Sequence, residues 1–153
     1  MENKVIGVGK KAKDFILRDQ KGQEFILSEG QGKKVLLSFH PLAWTPICAN
    51  QMKDLEKHRK IFEKYNTIAV GLSVDSVPCK AAWLKSLKIH YTRMLADFWP
   101  HGAVAKSLGI LRPEGFSERA NIIIDEKGRV SFVKIYPIKE LPDIREIIQI
   151  LMP

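Results

Sequence analysis

Apolar positions along the chain follow two spacings, one typical of buried strands and the other typical of helices. Continuous apolar runs at 33–40 and 66–74 predict strands that are buried on both faces. Paired apolar runs at 15–27 and 120–136 surround Asp-Gln-Lys-Gly and Asp-Glu-Lys-Gly turns and predict β-hairpins. A shorter run at 91–97 predicts one more strand.

The helical spacing occurs in four segments, at 45–65, 76–87, 100–110 and 139–152. In the first of these, one stripe carries Cys48, Met52, Leu55 and Phe62. Ser76 is the predicted N-cap of the second helix, and Gly109 ends the third. The order of strands and helices predicts an α/β fold with a mixed central β-sheet and helices on both faces, in a thioredoxin-like arrangement.

Length and composition predict one domain over 1–153 with a sizeable core. Hydrophobic residues make up 45% of the chain and charged residues 27%, which is usual for a soluble globular protein. No apolar run approaches the ~18 residues of a membrane span. The first residues show no signal-peptide pattern. We therefore expect a cytoplasmic protein with no membrane partner.

The net charge of +8 suggests an anionic partner at first sight. The basic residues are scattered among acidic ones, as in KDLEKHRKIFEK at 53–64, which is typical of a solvated helix face. No basic cluster is interleaved with aromatic residues, so we expect no nucleic-acid partner.

The two cysteines, Cys48 and Cys79, are too few for a disulfide scaffold. In a reducing compartment each is either buried and inert or present for its chemistry. Position 51 is Gln51, so there is no Cys-x-x-Cys motif, and zinc-ligand spacing is absent as well. We expect no metal and no cofactor.

The residues around Cys48 favour a reactive thiol. Thr45 is a suitable N-cap and Pro46 a suitable first helical residue, which places Cys48 in the first turn. Backbone amides there lack intrahelical partners and the helix dipole favours an anion, so both stabilise a thiolate. A cysteine on a buried stripe is also commonly just a small hydrophobic residue, so the local pattern alone leaves both interpretations open.

Longer stretches resemble a known family. PLAWTPIC gives Pro41-x-x-x-Thr45-x-x-Cys48, which is similar to the active-site signature of the peroxiredoxins, the cysteine-based peroxidases. ADFWPHGAVAKSLGI at 96–110 resembles the one-cysteine members of the alkyl hydroperoxide reductase E type, and the chain is also similar to bacterioferritin-comigratory-protein-like members. ERANIIIDEKGRV at 118–130 resembles the segment that carries the family's active-site arginine. Together these stretches cover most of the chain in the same order.

The resemblance implies a role for each matched residue. Cys48 would attack a hydroperoxide as a thiolate and become a sulfenic acid. Arg119 would stabilise the thiolate and the departing oxygen, Thr45 would orient the peroxide, and Pro41 would shield the pocket from water. The implied function is antioxidant reduction of hydrogen peroxide and organic hydroperoxides, with thioredoxin or a low-molecular-weight thiol as the reductant. The implied assembly is a homodimer.

The sequence leaves open the role of Cys79 and the choice between a peroxidase and a sensor. Cys79, at the start of the 76–87 helix, is either a resolving cysteine that forms a disulfide with Cys48 or a structural residue. Some atypical two-cysteine relatives carry the resolving cysteine on that helix about one turn further along, a shift of roughly 5 Å. The protein is either a peroxidase that turns over or a peroxide-responsive sensor that passes its oxidation to a partner.

Several residues outside the matched positions have other interpretations or depart from the family pattern. We interpret His40 as a polar residue at a strand end, and Trp83 and Trp99 as core or dimer-interface residues. The chain departs from the family pattern at three positions where Phe, Glu and Thr are frequent: Trp44, Gln51 and Asn121.

Overall fold

A central β-sheet organises the chain, of which a computed structural model describes residues 4–153. In this part of the chain the sheet has seven strands: β1 (Ile16–Asp19), β2 (Glu24–Ile26), β3 (Lys34–Phe39), β4 (Thr67–Ser73), β5 (Arg93–Ala96), β6 (Arg119–Ile124) and β7 (Val130–Tyr136). The same residues form these helices: α1 (Pro46–Lys57), α2 (Arg59–Lys64), α3 (Val77–Leu87), α4 (Ala103–Ser107) and α5 (Ile144–Leu151).

The sheet is mixed, as the order of the predicted elements indicated. Its strands lie in the order β2-β1-β5-β4-β3-β6-β7. β3, β4 and β5 run parallel to one another, and the other neighbouring pairs are antiparallel. Because β3 and β6 are antiparallel neighbours, the carboxyl end of β3 lies beside the amino end of β6. This register brings the residues that follow β3 next to the first residues of β6, although the two segments lie far apart in sequence.

Both faces of the sheet are covered. α1, α2, α3 and α5 pack on one face, which presents Leu36 and Ile123. α4 and nearby loops cover the opposite face, which presents Leu37 and Ile122 together with Leu17 and Phe25 of the β1–β2 hairpin. Consecutive strand residues thus enter different apolar clusters, as the pleat of a strand requires. The prediction of helices on both faces is confirmed, and the larger helical layer is the one that carries Cys48.

The prediction of a single helix over 45–65 is wrong, because α1 and α2 are separate. The break is at His58, whose backbone leaves helical geometry (φ −101°, ψ 13°). Its ring nitrogen Nδ1 lies 2.8 Å from the carbonyl oxygen of Asp54, so the side chain shares an acceptor with the helix backbone. The apolar stripe continues from α1 into α2 across this break, so the spacing of apolar residues did not predict the break at His58.

Two other helices are shorter than predicted. α5 begins at Ile144 because Pro142 disfavours helical backbone before it, and the carboxylate of Asp143 accepts a hydrogen bond from the Arg145 N–H at 3.0 Å. α4 starts only after Gly102, which has left-handed backbone geometry (φ 63°). The N-cap prediction for α3 is confirmed, since Oγ of Ser76 accepts from the Cys79 N–H at 3.3 Å.

None of the described helices combines the length and the apolar character that a membrane crossing needs. Within residues 4–153, no group of three or more His, Cys, Asp or Glu side chains is placed to hold a metal ion.

Glu56, near the end of α1, holds the loop that leads into β5. Its carboxylate accepts hydrogen bonds from the backbone N–H groups of His90 (2.7 Å), Tyr91 (3.2 Å) and Thr92 (2.9 Å), and from the Thr92 hydroxyl (2.8 Å). Burial raises the pKa of Glu56, but these hydrogen bonds outweigh burial and lower the pKa overall. The ionised carboxylate therefore stabilises the folded chain.

We expect Glu56→Gln to lower the free energy of unfolding by about 1–2 kcal/mol at neutral pH, because the amide has one acceptor oxygen where the carboxylate has two. The carboxylate's contribution is present above the pKa of Glu56 in the unfolded chain and is lost as pH falls through its lowered folded-state pKa. Urea unfolding at several pH values should show the difference from wild type shrinking below about pH 4. Glu63→Gln, at an exposed position, is the control; an equal effect in both variants would contradict the prediction.

Candidate active site

Cys48 lies in the first turn of α1, shortly after the loop that follows β3, and its side chain is fully buried. The helix begins after Thr45, whose carbonyl accepts the first helical hydrogen bond from the Ala49 N–H at 2.9 Å. No residue in 4–153 accepts a hydrogen bond from the backbone N–H of Cys48. That donor is therefore available to a ligand beside the sulfur of the same residue.

Thr45 occupies the predicted N-cap position, but its side chain does not cap the helix. Its hydroxyl donates instead to the carbonyl oxygen of Leu42 at 2.9 Å. The lone pairs of the hydroxyl oxygen remain available as acceptors. Pro41, in the same loop, is buried. The prediction for Thr45 was thus right about the helix start and wrong about the capping hydrogen bond.

Arg119 is the first residue of β6, and the register with β3 brings it to Cys48. Its side chain is only 2% exposed. Nη1 donates to the Sγ of Cys48 at 3.3 Å and to Oε1 of Gln51 at 2.8 Å, while Nε and Nη2 donate to the carbonyl oxygen of Ile138 at 3.0 and 2.8 Å. Among residues 4–153, no carboxylate lies within salt-bridge distance of Arg119. A thiolate at Cys48 is the anion that this geometry accommodates.

Gln51 links Arg119 to the end of β3, a role that the sequence analysis missed. It is 4% exposed and lies three residues after Cys48 on the buried face of α1. Its amide nitrogen donates to Oγ of Ser38 at 2.8 Å and to the carbonyl of Phe39 at 3.1 Å, while its amide oxygen accepts from Arg119. The sequence did contain a signal for this role, because Gln51 is a polar residue on the apolar stripe of α1. A polar side chain at a core position needs buried hydrogen-bond partners.

Asp75 connects the active-site loop to the start of α3. Its Oδ2 accepts from the Ala43 N–H at 2.8 Å and from the Ser73 hydroxyl at 2.6 Å, and its Oδ1 lies 3.7 Å from the Sγ of Cys79. Burial raises the pKa of the Cys79 thiol, and the negative charge of Asp75 raises it further. Both cysteines are free thiols, and Cys79 packs against the apolar cluster that includes Cys48. The resolving role of Cys79 stays a prediction.

His40, interpreted from sequence as a polar strand-end residue, is completely buried. Its Nε2 lies 2.8 Å from Nζ of Lys80, which is also completely buried. Trp83 is in the core, as expected, with its ring centroid 5.3 Å from that of His40, whereas Trp99 is 81% exposed. Lys80 lies on the apolar stripe of α3, and a lysine at such a position is the signal that could have pointed to this pair.

The fold and the site together define a class of protein. A thioredoxin-like fold carries a buried cysteine in the first turn of a helix, and a buried guanidinium lies against its sulfur. Gln51 occupies the place of a second cysteine in a Cys-x-x-Cys motif, so the arrangement suits a single reactive thiolate rather than a dithiol exchange site. The class is that of cysteine-based redox proteins.

Comparison with known proteins specifies this class further. Residues 8–133 match the AhpC/TSA family. The chain is 35% identical over 143 residues to alkyl hydroperoxide reductase E of Mycobacterium tuberculosis, covering 92% of this chain and 93% of that protein. It is 30% identical over 158 residues to a peroxiredoxin of Ignicoccus hospitalis, covering 99% of this chain and 67% of that protein.

The fold is similar to solved structures as well. The reduced 2-Cys peroxiredoxin of Plasmodium vivax superposes with a TM-score of 0.88 at 28% identity, over 94% of this chain and 79% of that one. The structure of Mycobacterium tuberculosis AhpC superposes with a TM-score of 0.86 at 19% identity and shows the fold alone. This chain belongs to the AhpC/TSA family and is a peroxiredoxin, a thiol-dependent peroxidase. The predicted family and the thioredoxin-like fold are confirmed.

Proposed function

We propose that this chain reduces hydrogen peroxide and organic hydroperoxides at Cys48, with Pro41, Thr45 and Arg119 as the other residues of the reaction. The 3.3 Å contact between Nη1 of Arg119 and the sulfur of Cys48 carries the proposal. A buried guanidinium without a carboxylate partner is costly unless another anion compensates its charge. The Cys48 thiolate is that anion, and the thiolate is also the nucleophile.

The reaction is a displacement at oxygen. The Cys48 thiolate attacks one peroxide oxygen, the S–O bond forms as the O–O bond breaks, and the departing oxygen takes up a proton and leaves as water or an alcohol. Negative charge moves from the sulfur to the departing oxygen, so donors that serve both atoms stabilise the transition state. Arg119 and the free backbone N–H of Cys48 are these donors. The Thr45 hydroxyl accepts from the peroxide O–H, and Pro41 helps to exclude water.

The sulfenic acid is then reduced by thioredoxin or by a low-molecular-weight thiol. In a two-cysteine cycle, Cys79 attacks the sulfenic sulfur, water leaves, and the reductant cleaves the resulting disulfide. In a one-cysteine cycle, the outside thiol attacks Cys48 directly. Burial and Asp75 raise the pKa of Cys79 and so favour its thiol form, which supports the one-cysteine cycle. We propose the cytoplasm as the place of this reaction, because reducing conditions there keep cysteines as thiols.

Intact mass after one equivalent of hydrogen peroxide, without reductant, tests both the nucleophile and the cycle. We expect one or more added oxygens on wild type and on Cys79→Ser, and no change on Cys48→Ser. A loss of two hydrogens in wild type that is absent from Cys79→Ser would establish the two-cysteine cycle instead. An unchanged mass in wild type would contradict the peroxidase proposal. Repeated turnover with excess dithiothreitol separates a peroxidase from the sensor alternative, in which turnover is poor.

We expect Arg119→Lys to slow oxidation of Cys48 by hydrogen peroxide about 100-fold, measured as the second-order rate constant by stopped-flow fluorescence. Lysine keeps the charge but lacks the planar fork that spans Ile138, Gln51 and the sulfur together. The matched control is Arg112→Lys, because Arg112 makes ion pairs with Glu114 and Glu118 away from Cys48. If both variants react at the wild-type rate, Arg119 has no part in the chemistry.

The proposal includes a homodimer, supported by a surface patch with exposed aromatic side chains. This patch is a surface depression lined by Ile16, Val77, Phe98 and Trp99 together with the charged residues Arg18 and Glu24. The aromatic side chains of Phe98 and Trp99 are 51% and 81% exposed. Protein interfaces are enriched in aromatic side chains and have a polar rim, which fits this patch. A second copy of the chain is the occupant that we propose, since it would cover the same patch on both subunits.

Sedimentation of the reduced protein tests this assembly. Wild type should sediment as a dimer, and Trp99→Asp should sediment as a monomer because an unpaired carboxylate would be buried in the interface. Tyr91→Asp is the control, since Tyr91 is similarly exposed (69%) but lies outside the patch. A wild-type monomer, or an equal effect of both substitutions, would contradict the dimer.

A further inference from the structure

A single peptide group in the active-site loop connects Asp75 to the side chain of Thr45. The backbone N–H of Ala43 donates to Oδ2 of Asp75 at 2.8 Å. The carbonyl oxygen of the same peptide group, which belongs to Leu42, accepts a hydrogen bond from the Thr45 hydroxyl at 2.9 Å. This peptide is therefore bonded to a carboxylate on one side and to a residue of the proposed reaction on the other.

The carboxylate of Asp75 is held in place by two other donors. The Ser73 hydroxyl donates to Oδ2 at 2.6 Å, and the Cys79 thiol donates to Oδ1 at 3.7 Å. In residues 4–153, no lysine, arginine or histidine side chain lies within salt-bridge distance of Asp75. No cation therefore competes with the Ala43 N–H for this carboxylate. Hydrogen bonds to an ionised acceptor are roughly twice as strong as those between neutral groups.

The hydrogen bonds on the Leu42–Ala43 peptide determine what the Thr45 hydroxyl can offer to a substrate. A hydroxyl has one proton to donate and two lone pairs that accept. Successive hydrogen bonds polarise one another, so a carboxylate on the N–H makes the carbonyl of the same peptide a stronger acceptor. The Thr45 proton is thereby committed to the Leu42 carbonyl. Only the lone pairs of the hydroxyl oxygen remain for a substrate.

The backbone between these two hydrogen bonds needs support from its surroundings. Trp44 has left-handed backbone geometry (φ 68°), which residues other than glycine rarely adopt. Such residues persist where the surrounding structure holds them. Ala43 is only 6% exposed, and Asp75 accepts its N–H. Loss of that acceptor leaves a buried N–H unpaired and favours a relaxed loop, in which Thr45 moves relative to Cys48.

We propose that Asp75 is a positioning residue of the peroxidase reaction, which acts through the Leu42–Ala43 peptide to keep the Thr45 hydroxyl as an acceptor for the peroxide O–H. This inference rests on the proposed function of Thr45 and Cys48. Asp75 exchanges no proton and no electron with the substrate. Its effect is on orientation: a peroxide that donates to a fixed acceptor presents its oxygen to the Cys48 sulfur in one arrangement.

We expect Asp75→Ala to slow the oxidation of Cys48 by hydrogen peroxide roughly tenfold, measured as the second-order rate constant by stopped-flow fluorescence. Alkylation of Cys48 by iodoacetamide, measured by peptide mass mapping, should proceed at the wild-type rate or faster, because this reagent has no O–H to donate to Thr45. Loss of the Asp75 charge would by itself favour the Cys48 thiolate and speed both reactions. Slower oxidation without slower alkylation is therefore specific to orientation.

A double-mutant cycle tests whether Asp75 acts through Thr45. Thr45→Val removes the hydroxyl and should itself slow oxidation, so adding Asp75→Ala to it should slow oxidation further by less than about twofold. The matched control is Asp14→Ala, which should react at the wild-type rate. Asp14 also accepts hydrogen bonds from backbone N–H groups, those of Phe15 and Ser28, but it precedes β1 and lies outside the active-site loop.

Asp75→Asn guards against a failure of Asp75→Ala to fold. It keeps one acceptor oxygen without the charge, so its oxidation rate should lie between those of wild type and Asp75→Ala, again without slower alkylation. Oxidation of the Asp75 variants at the rate of Asp14→Ala would overturn the proposal, as would equal slowing of oxidation and alkylation. An undiminished effect of Asp75→Ala in the Thr45→Val background, or a wild-type rate in Thr45→Val, would overturn it as well.

Failure of the proposed function would give a different result from failure of this inference. Hydrogen peroxide would then oxidise Cys48 in none of the proteins, wild type included, while iodoacetamide would still alkylate it. If wild type is oxidised rapidly and the Asp75 variants equal it, the peroxidase function stands and the positioning role of Asp75 is refuted.

Discussion

The contact between the Arg119 guanidinium and the Cys48 sulfur is the interaction on which the rest of the site depends. Burying a guanidinium costs several kcal/mol of hydration, and no carboxylate among residues 4–153 lies close enough to offset it. The guanidinium contacts the Cys48 sulfur and donates to neutral acceptors, namely the carbonyl of Ile138 and the amide of Gln51. A neutral acceptor orients the guanidinium without neutralising it. The positive charge therefore remains directed at the sulfur, where the chemistry needs it.

That contact requires a rigid surrounding frame, and the frame is built from polar groups with partners: the buried Gln51 and the half-buried Asp75. Gln51 joins α1 to the end of β3, and Asp75 joins the loop before α1 to the start of α3. Each of these side chains bonds to at least two groups on separate segments. Because leaving a buried polar group unpaired costs about 1–3 kcal/mol, displacement of any one segment is penalised. The donors around the sulfur are thus held in place before a peroxide arrives.

The site holds two buried cationic side chains of different kinds. Arg119 keeps its charge at any physiological pH, so it is a permanent stabiliser of negative charge. Lys80 can lose its proton, since burial lowers its pKa to about 7 and its hydrogen-bond partner is a neutral imidazole.

The local sequence pattern was sufficient to predict much of the secondary structure of this protein. Strand faces, the helix start at Thr45-Pro46 and the position of Cys48 follow from side-chain periodicity and from the backbone limits of proline, which act over a few residues. The Pro41–Thr45–Cys48 spacing, together with the resembling stretches at 96–110 and 118–130, was enough to predict the family. The break at His58 escaped because the apolar stripe continues across it. Only the tertiary structure decided the hydrogen-bond partners of Arg119, Gln51 and Lys80, because these partners lie on strands and helices far apart in sequence. The register of β3 with β6 and the packing of α3 determine which of their atoms meet.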